Sequence, residues 1–107
     1  MTAKPVILRE TAQLDVSDAL DEYIGRGATR SAARFIDAVE VTCRGIARHP
    51  AAGSARYAPE VALPGLRYWE LPGFRYLLFY KEFEDHVDVW RLLHRERDIA
   101  DWLREER

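Results

Sequence analysis

Apolar residues recur at three- and four-residue spacing through the first half of the chain and alternate with polar ones in the second half. Val6 to Leu8 is a short β-branched and apolar run that reads as a first strand. Val16, Ala19, Leu20, Tyr23 and Ile24 then mark one face of a helix. Thr11 stands where a helix N-cap belongs, and Asp15, Asp18, Asp21 and Glu22 follow it. Gly25 and Gly27 end the helix, because glycine readily takes the left-handed conformation needed there. A second helix starts at Thr29 or Ser31. Ala32, Phe35, Ile36, Val39, Cys43, Ile46 and Ala47 form its stripe through about five turns. His49-Pro50 stops it, since proline disfavours helical geometry in the residue before it. So short a linker between the two helices predicts an antiparallel hairpin.

Residues 50–66 hold Pro50, Gly53, Pro59, Pro64 and Gly65 and have no period, which describes a loop crossing to a sheet. Arg67–Leu71 and Phe74–Glu82 read as strands around Pro72-Gly73, and Val87–Leu93 as a third after Glu84-Asp85-His86. The short connections predict antiparallel neighbours. Arg97–Arg104, with Ile99, Trp102 and Leu103 apolar, reads as a short C-terminal helix. The order is β-α-α-β-β-β with that helix at the end: an α+β domain, one unit spanning residues 1–107, with a helical hairpin packed on an antiparallel sheet.

Alternation places Phe74, Tyr76, Leu78 and Tyr80 on one face of the middle strand and Arg75, Leu77, Phe79 and Lys81 on the other. Both faces therefore carry apolar groups and both need covering. The hairpin covers one. The other is the expected seat of a partner, with Tyr68, Trp69, Leu77 and Phe79 as the candidate contacts.

Charge narrows the picture. The chain has 107 residues and a net charge of −2, which argues against a general binder of nucleic acid. Fourteen of the sixteen basic residues are arginine, the residue suited to planar and bidentate contacts with carboxylate or phosphate. Six of them lie in residues 26–57 against only Asp37 and Glu40. The single cysteine, Cys43, excludes an internal disulfide framework and suits a reducing cytoplasm. It falls on the apolar stripe and reads as a small buried hydrophobe. His49, His86 and His94 lie on separate elements, so no metal site is expected, and no cofactor either. His49 reads as a helix C-cap and His86 as a solvated turn residue. No apolar run reaches the roughly 18–20 residues that cross a bilayer, and a cytoplasmic protein is expected.

The helical hairpin ending in Ala47-Arg48-His49-Pro50, then Pro64-Gly65-Leu66-Arg67, Tyr76-Leu77-Leu78-Phe79-Tyr80 and the run Val87 to Ile99 together resemble the ParE toxins of the bacterial RelE/ParE superfamily. The resemblance covers nearly the whole chain and rests on the order and spacing of these segments. It implies the toxin of a type II toxin–antitoxin system, held inactive by a ParD-like antitoxin in a hetero-oligomer. It also implies DNA gyrase as target and no sequence-specific DNA binding by the toxin alone. RelE-like relatives instead cut messenger RNA on the ribosome, and a degenerate, non-toxic binding module is a third outcome.

An RNase of this kind needs cations for a phosphorane-like charge and a general acid and base. Arg56, Arg67 and Arg91 offer charge and His94 offers proton transfer. Against this stand only two lysines, Lys4 and Lys81, and no tyrosine after Tyr80. Arg75, Arg91, His94, Arg97 and Asp98 have two readings. Either they touch the target, or they form a structural lock in which an Arg–Asp pair and a histidine tie the C-terminal segment to the sheet.

Overall fold

A computed structural model describes residues 3–106. The elements run β1 (Val6–Leu8), α1 (Glu10–Gly25), α2 (Thr29–Arg48), a 3-10 turn (Pro50–Ala52), β2 (Leu66–Glu70), β3 (Tyr76–Glu82), β4 (Val87–His94) and α3 (Ile99–Glu106). The α+β class and the element order are those expected from the sequence, while boundaries move by one to three residues. The first helix is not capped by Thr11. Arg9 occupies the N-cap without a side-chain bond, and Thr11 lies inside the first turn. The second begins at Thr29 behind Ala28. Between the helices Gly27 takes φ +74°, a value that only glycine accepts without strain.

The four strands lie in the order β1-β4-β3-β2. β2, β3 and β4 form the expected antiparallel meander, but β1 runs parallel to β4, so the sheet is mixed. Only tight turns dictate antiparallel pairing, and β1 reaches β4 through the whole helical hairpin instead. The β3–β4 register jumps between Phe79, opposite Arg91, and Tyr80, opposite Val89. Trp90 is the extra residue of this bulge, and such an insertion re-aims the side chains around it.

Each face of the sheet has its own core. Under the helices, Phe35, Val39 and Ile46 meet Leu78, Tyr80, Val89 and Leu92, with Tyr23, Phe74 and Tyr76 packed at the margin. Phe35 touches Tyr23, Phe74 and Tyr76 at ring-centroid distances of 5.6 Å each, mostly tilted or edge-on. On the opposite face Leu77, Phe79, Trp90 and Leu93 lie beneath Ile99, Ala100 and Leu103 of α3 and Val61 of the long loop. The alternation read from β3 holds at every position from Tyr76 to Tyr80. Its consequence differs from the expectation: the second face is covered by the chain itself.

Candidate functional site

β1 pairs with β4 only from Val87 to Val89, and among the described residues no strand covers the outer edge of β4 beyond that point. The first turns of α1 take over. Arg9 N–H donates to the Val89 carbonyl at 3.0 Å, and the Thr11 hydroxyl to the Trp90 carbonyl at 3.4 Å. Asp15, one turn further, accepts the Leu92 N–H at 3.0 Å. Thr11 and Asp15 are four apart, so they stack on the same helix face and meet successive groups of the strand.

Asp15 also holds Arg91. The guanidinium donates Nε to Oδ2 and Nη2 to Oδ1, both at 2.7 Å, a bidentate pair with little solvent access. Those bonds outweigh the desolvation of the guanidinium and push its pKa up. Arg91 therefore stays charged but compensated. Its guanidinium lies 5.0 Å from the Trp102 ring centre, and that of Arg97 at 5.4 Å, so two cations contact one indole.

This corner is one side of a groove of about 850 Å³. α1 supplies Asp15, Asp18 and Glu22, α2 supplies Arg34, and the sheet end supplies Arg75, Tyr76, Arg91, His94 and Arg97. Arg26 pairs with Glu22, and Arg75 with Glu96 at 2.9 Å. Among the described residues, Arg34 and Arg97 have no carboxylate at ion-pair distance. Burial, with Tyr23 and Glu22 close by, pushes the Tyr76 phenol above its ordinary pKa. His94 stands edge-on to Tyr76, its ring centre 5.3 Å away. Its Nδ1 accepts the Glu96 N–H at 3.2 Å, and its carbonyl accepts the Arg97 N–H at 2.9 Å.

Arg75, Arg91, His94 and Arg97 thus converge on the groove, while Asp98 does not line it. The carboxylate that Arg91 engages is Asp15 and not Asp98, so its ion pair ties β4 to α1, while its contact with Trp102 reaches the C-terminal segment. Asp98 instead sits just before α3, and its pKa is raised chiefly by the Asp101 side chain. Arg56 and Arg67 lie away from the groove. Arg67 donates to the Gly53 carbonyl at 2.8 Å and holds the long loop, and exposed Arg56 leans on the Tyr57 ring at 5.2 Å. The four residues expected for an RNase therefore do not gather at one site.

The surface candidates are also reassigned. Leu77 and Phe79 are 5% and 0% exposed beneath α3 and the loop. Tyr68 packs on Tyr57 and Phe79 in the same cluster. Trp69 faces the helices, wedged between Gly45 of α2 and Gly53 of the loop, where a Cβ on either glycine would overlap its ring. Cys43 is half-buried beside this core, and burial pushes its thiol up despite Arg44. His49 is the C-cap residue of α2, and His86 stacks on Phe83 with Asp85 at 2.7 Å.

Two residues central to this region did not stand out in the sequence. Asp15 read as one of four acids following a cap. Its signal is its place between Ala12 and Ala19 on the buried stripe, where a carboxylate needs a partner. Arg9 carries no sequence signal beyond its place just after β1. It bonds Asp88 at 2.9 Å, reaches Glu106 at 3.4 Å and covers the Trp90 ring at 4.0 Å, joining both ends of the chain.

The family model for the ParE toxin of the parDE type II toxin–antitoxin system matches residues 6–99, the first strand through the start of α3. The chain belongs to the ParE toxin family. A solved structure described as the chromosomal ParDE toxin–antitoxin system from P. aeruginosa superposes with a TM-score of 0.72 at 14% identity. It covers 88% of this chain and 98% of its own, and at that identity it speaks for the ParE fold alone. No curated protein sequence matches the chain. Among the described residues, no helix is long and apolar enough to cross a membrane.

Proposed function

We propose that this ParE-family toxin acts in the bacterial cytoplasm by binding, with DNA gyrase as its target, and that a ParD-like antitoxin encoded beside it neutralises it. The observation that carries the binding reading is the state of the groove's polar groups. Arg97 offers a guanidinium without a carboxylate partner, over the Trp102 ring and close to Tyr76. That is a surface for carboxylate-bearing or aromatic protein groups. A general base is poorly served, because the His94 Nδ1 already accepts the Glu96 N–H and burial pushes the Tyr76 phenol further from acting as a base. RelE-type mRNA cleavage would need a free general base beside the groove's cations. The choice of gyrase rests on ParE family membership.

The test runs gyrase supercoiling beside ribosome-dependent mRNA cleavage with the purified toxin. Supercoiling is expected to be inhibited and the message left intact. Arg97→Ala, on an exposed residue, should weaken inhibition about tenfold, the loss of one charged contact at an interface, with a melting curve lowered only slightly by the lost contact with Trp102. Cleavage of mRNA with gyrase unaffected would overturn the reading. Growth that continues when the chain is induced without antitoxin would leave only the degenerate binding module.

A further inference from the structure

We propose that two copies of this chain pair through the outer faces of their helical hairpins, with α1 of each copy lying along α2 of the other. Three of the five large apolar side chains left exposed in the described chain lie on that hairpin: Leu14 (55%), Ile24 (54%) and Val41 (49%). They are flanked by charge of opposite sign on the two helices. α1 carries Glu10, Asp15, Asp18, Asp21 and Glu22 and no basic residue. α2 carries Arg30, Arg34, Arg44 and Arg48 against Asp37 and Glu40, and these arginines have no ion-pair partner among the described residues.

Helical spacing puts these groups on two outward stripes. On α1, Glu10, Leu14, Ser17, Asp21 and Ile24 follow one another at three and four residues and are all exposed. On α2, Arg30, Arg34, Asp37, Val41, Arg44 and Arg48 do the same. The helices are antiparallel and joined only by Arg26-Gly27-Ala28. With about 1.5 Å of rise per residue on each, Glu10 stands level with Arg44, Leu14 with Val41, and Asp21 with Arg34. The Tyr23 and Phe35 rings, which meet at 5.6 Å, fit this register because each side chain leans toward its own helix N-terminus.

A two-fold axis running along the helices keeps height and exchanges the helices. Glu10 of one copy then meets Arg44 of the other, Leu14 meets Val41, and Asp21 meets Arg34, each contact made twice. The alternative two-fold, across the helices, sets α1 on α1 and opposes acid with acid. Charge thus selects one symmetric arrangement, a four-helix bundle with the sheets outside. Its footprint, roughly 24 Å by 20 Å from the helix lengths and diameters, is near the lower bound for a specific interface. With few apolar anchors the dimer is weak and salt-sensitive.

Sedimentation velocity on the full chain across the micromolar range tests this. A monomer–dimer equilibrium that shifts toward monomer as salt rises is expected. Arg44→Glu or Glu10→Lys alone should weaken association at least about tenfold, because the symmetry introduces each repulsion twice. The double reversal should return it to within about threefold of wild type. Both positions are exposed, so circular dichroism melts should fall only slightly, and for Glu10→Lys by no more than the lost favourable charge at the α1 N-terminus. The proposal fails if the wild type is monomeric throughout, if single reversals leave association intact, or if the double reversal is no better than the singles. It fails equally if the reversals alter only the affinity for an antitoxin, since the face would then belong to that partner.

Discussion

The two faces of the sheet are both apolar, yet they are covered in different ways. On one, α1 and α2 supply 36 residues of regular helix, and their stripes meet the strand residues in register. On the other, an eight-residue helix and the irregular 50–66 segment do the same task with Tyr57, Val61, Leu63, Ile99 and Leu103. A long helix fixes many contacts through one rigid body. A loop and a short helix fix theirs piecemeal and can settle when a neighbour shrinks. Equal burial therefore need not mean equal resistance to change.

Phe35 and Phe79 put that difference to the test, since both are 0% exposed and lie on opposite faces. Phe35→Ala leaves a hole walled by α1, α2 and three aromatic rings, and should destabilise by about 4–5 kcal/mol. Phe79→Ala leaves one that α3 and the loop can partly close, and should cost about 3 kcal/mol. Urea unfolding of the two variants gives the values. If the Phe79 loss equals or exceeds the Phe35 loss, the second cover is as rigid as the first and the contrast disappears.

The next largest effect lies at the seam between the two faces. Asp15 is held by three hydrogen bonds, two from Arg91 and one from Leu92 N–H. Asp15→Ala strands a guanidinium with only 7% exposure and frees a strand amide. About 3 kcal/mol is expected, the low side of the range for breaking a buried pair because Asp15 keeps some solvent access. Hydrogen exchange should show the Leu92 amide losing protection. Asp98→Ala should fray α3 and spare Leu92. Loss of Leu92 protection in the Asp98 variant, with none in the Asp15 variant, would return the lock to the C-terminal segment.

These residues also show what the sequence could reveal. Helix and strand periods follow from local sterics and burial, so the hairpin, the meander and the two-sided β3 were legible from spacing alone. What covers the second face was not. The 50–66 segment has no period, and a short α3 with Ile99 and Leu103 gives no sign of where it docks. Pairing across the chain was equally hidden. Arg91 was visible as a member of a lock, but its partner lies 76 positions away in a run of four acids. Only Asp15, between Ala12 and Ala19, points inward, and the direction of β1, which allows α1 to close the β4 edge, is set by no turn. The groove inherits that gap: its β4 residues were candidates from the start, whereas its α1 and α2 walls were not.

Gly45 offers the smallest effect and the most local probe of the helix-face cover. A glycine inside a helix costs up to about 1 kcal/mol relative to alanine, so Gly→Ala there normally stabilises. Gly25, in the last position of α1, faces open space where an alanine methyl would sit, and Gly25→Ala should follow that rule with a gain of about a few tenths of a kcal/mol. Gly45→Ala should do the opposite. Its methyl would enter the space of the Trp69 ring, which is confined on its other flank by Gly53. Overpacking of a confined ring costs about 1–3 kcal/mol, which exceeds the propensity gain and leaves a net loss of about 1 kcal/mol. Thermal melts of the two alanine variants decide the point by sign alone. A Gly45→Ala protein that melts above wild type would mean that Trp69 has room to move, and that the helical cover is no tighter than the loop on the other face.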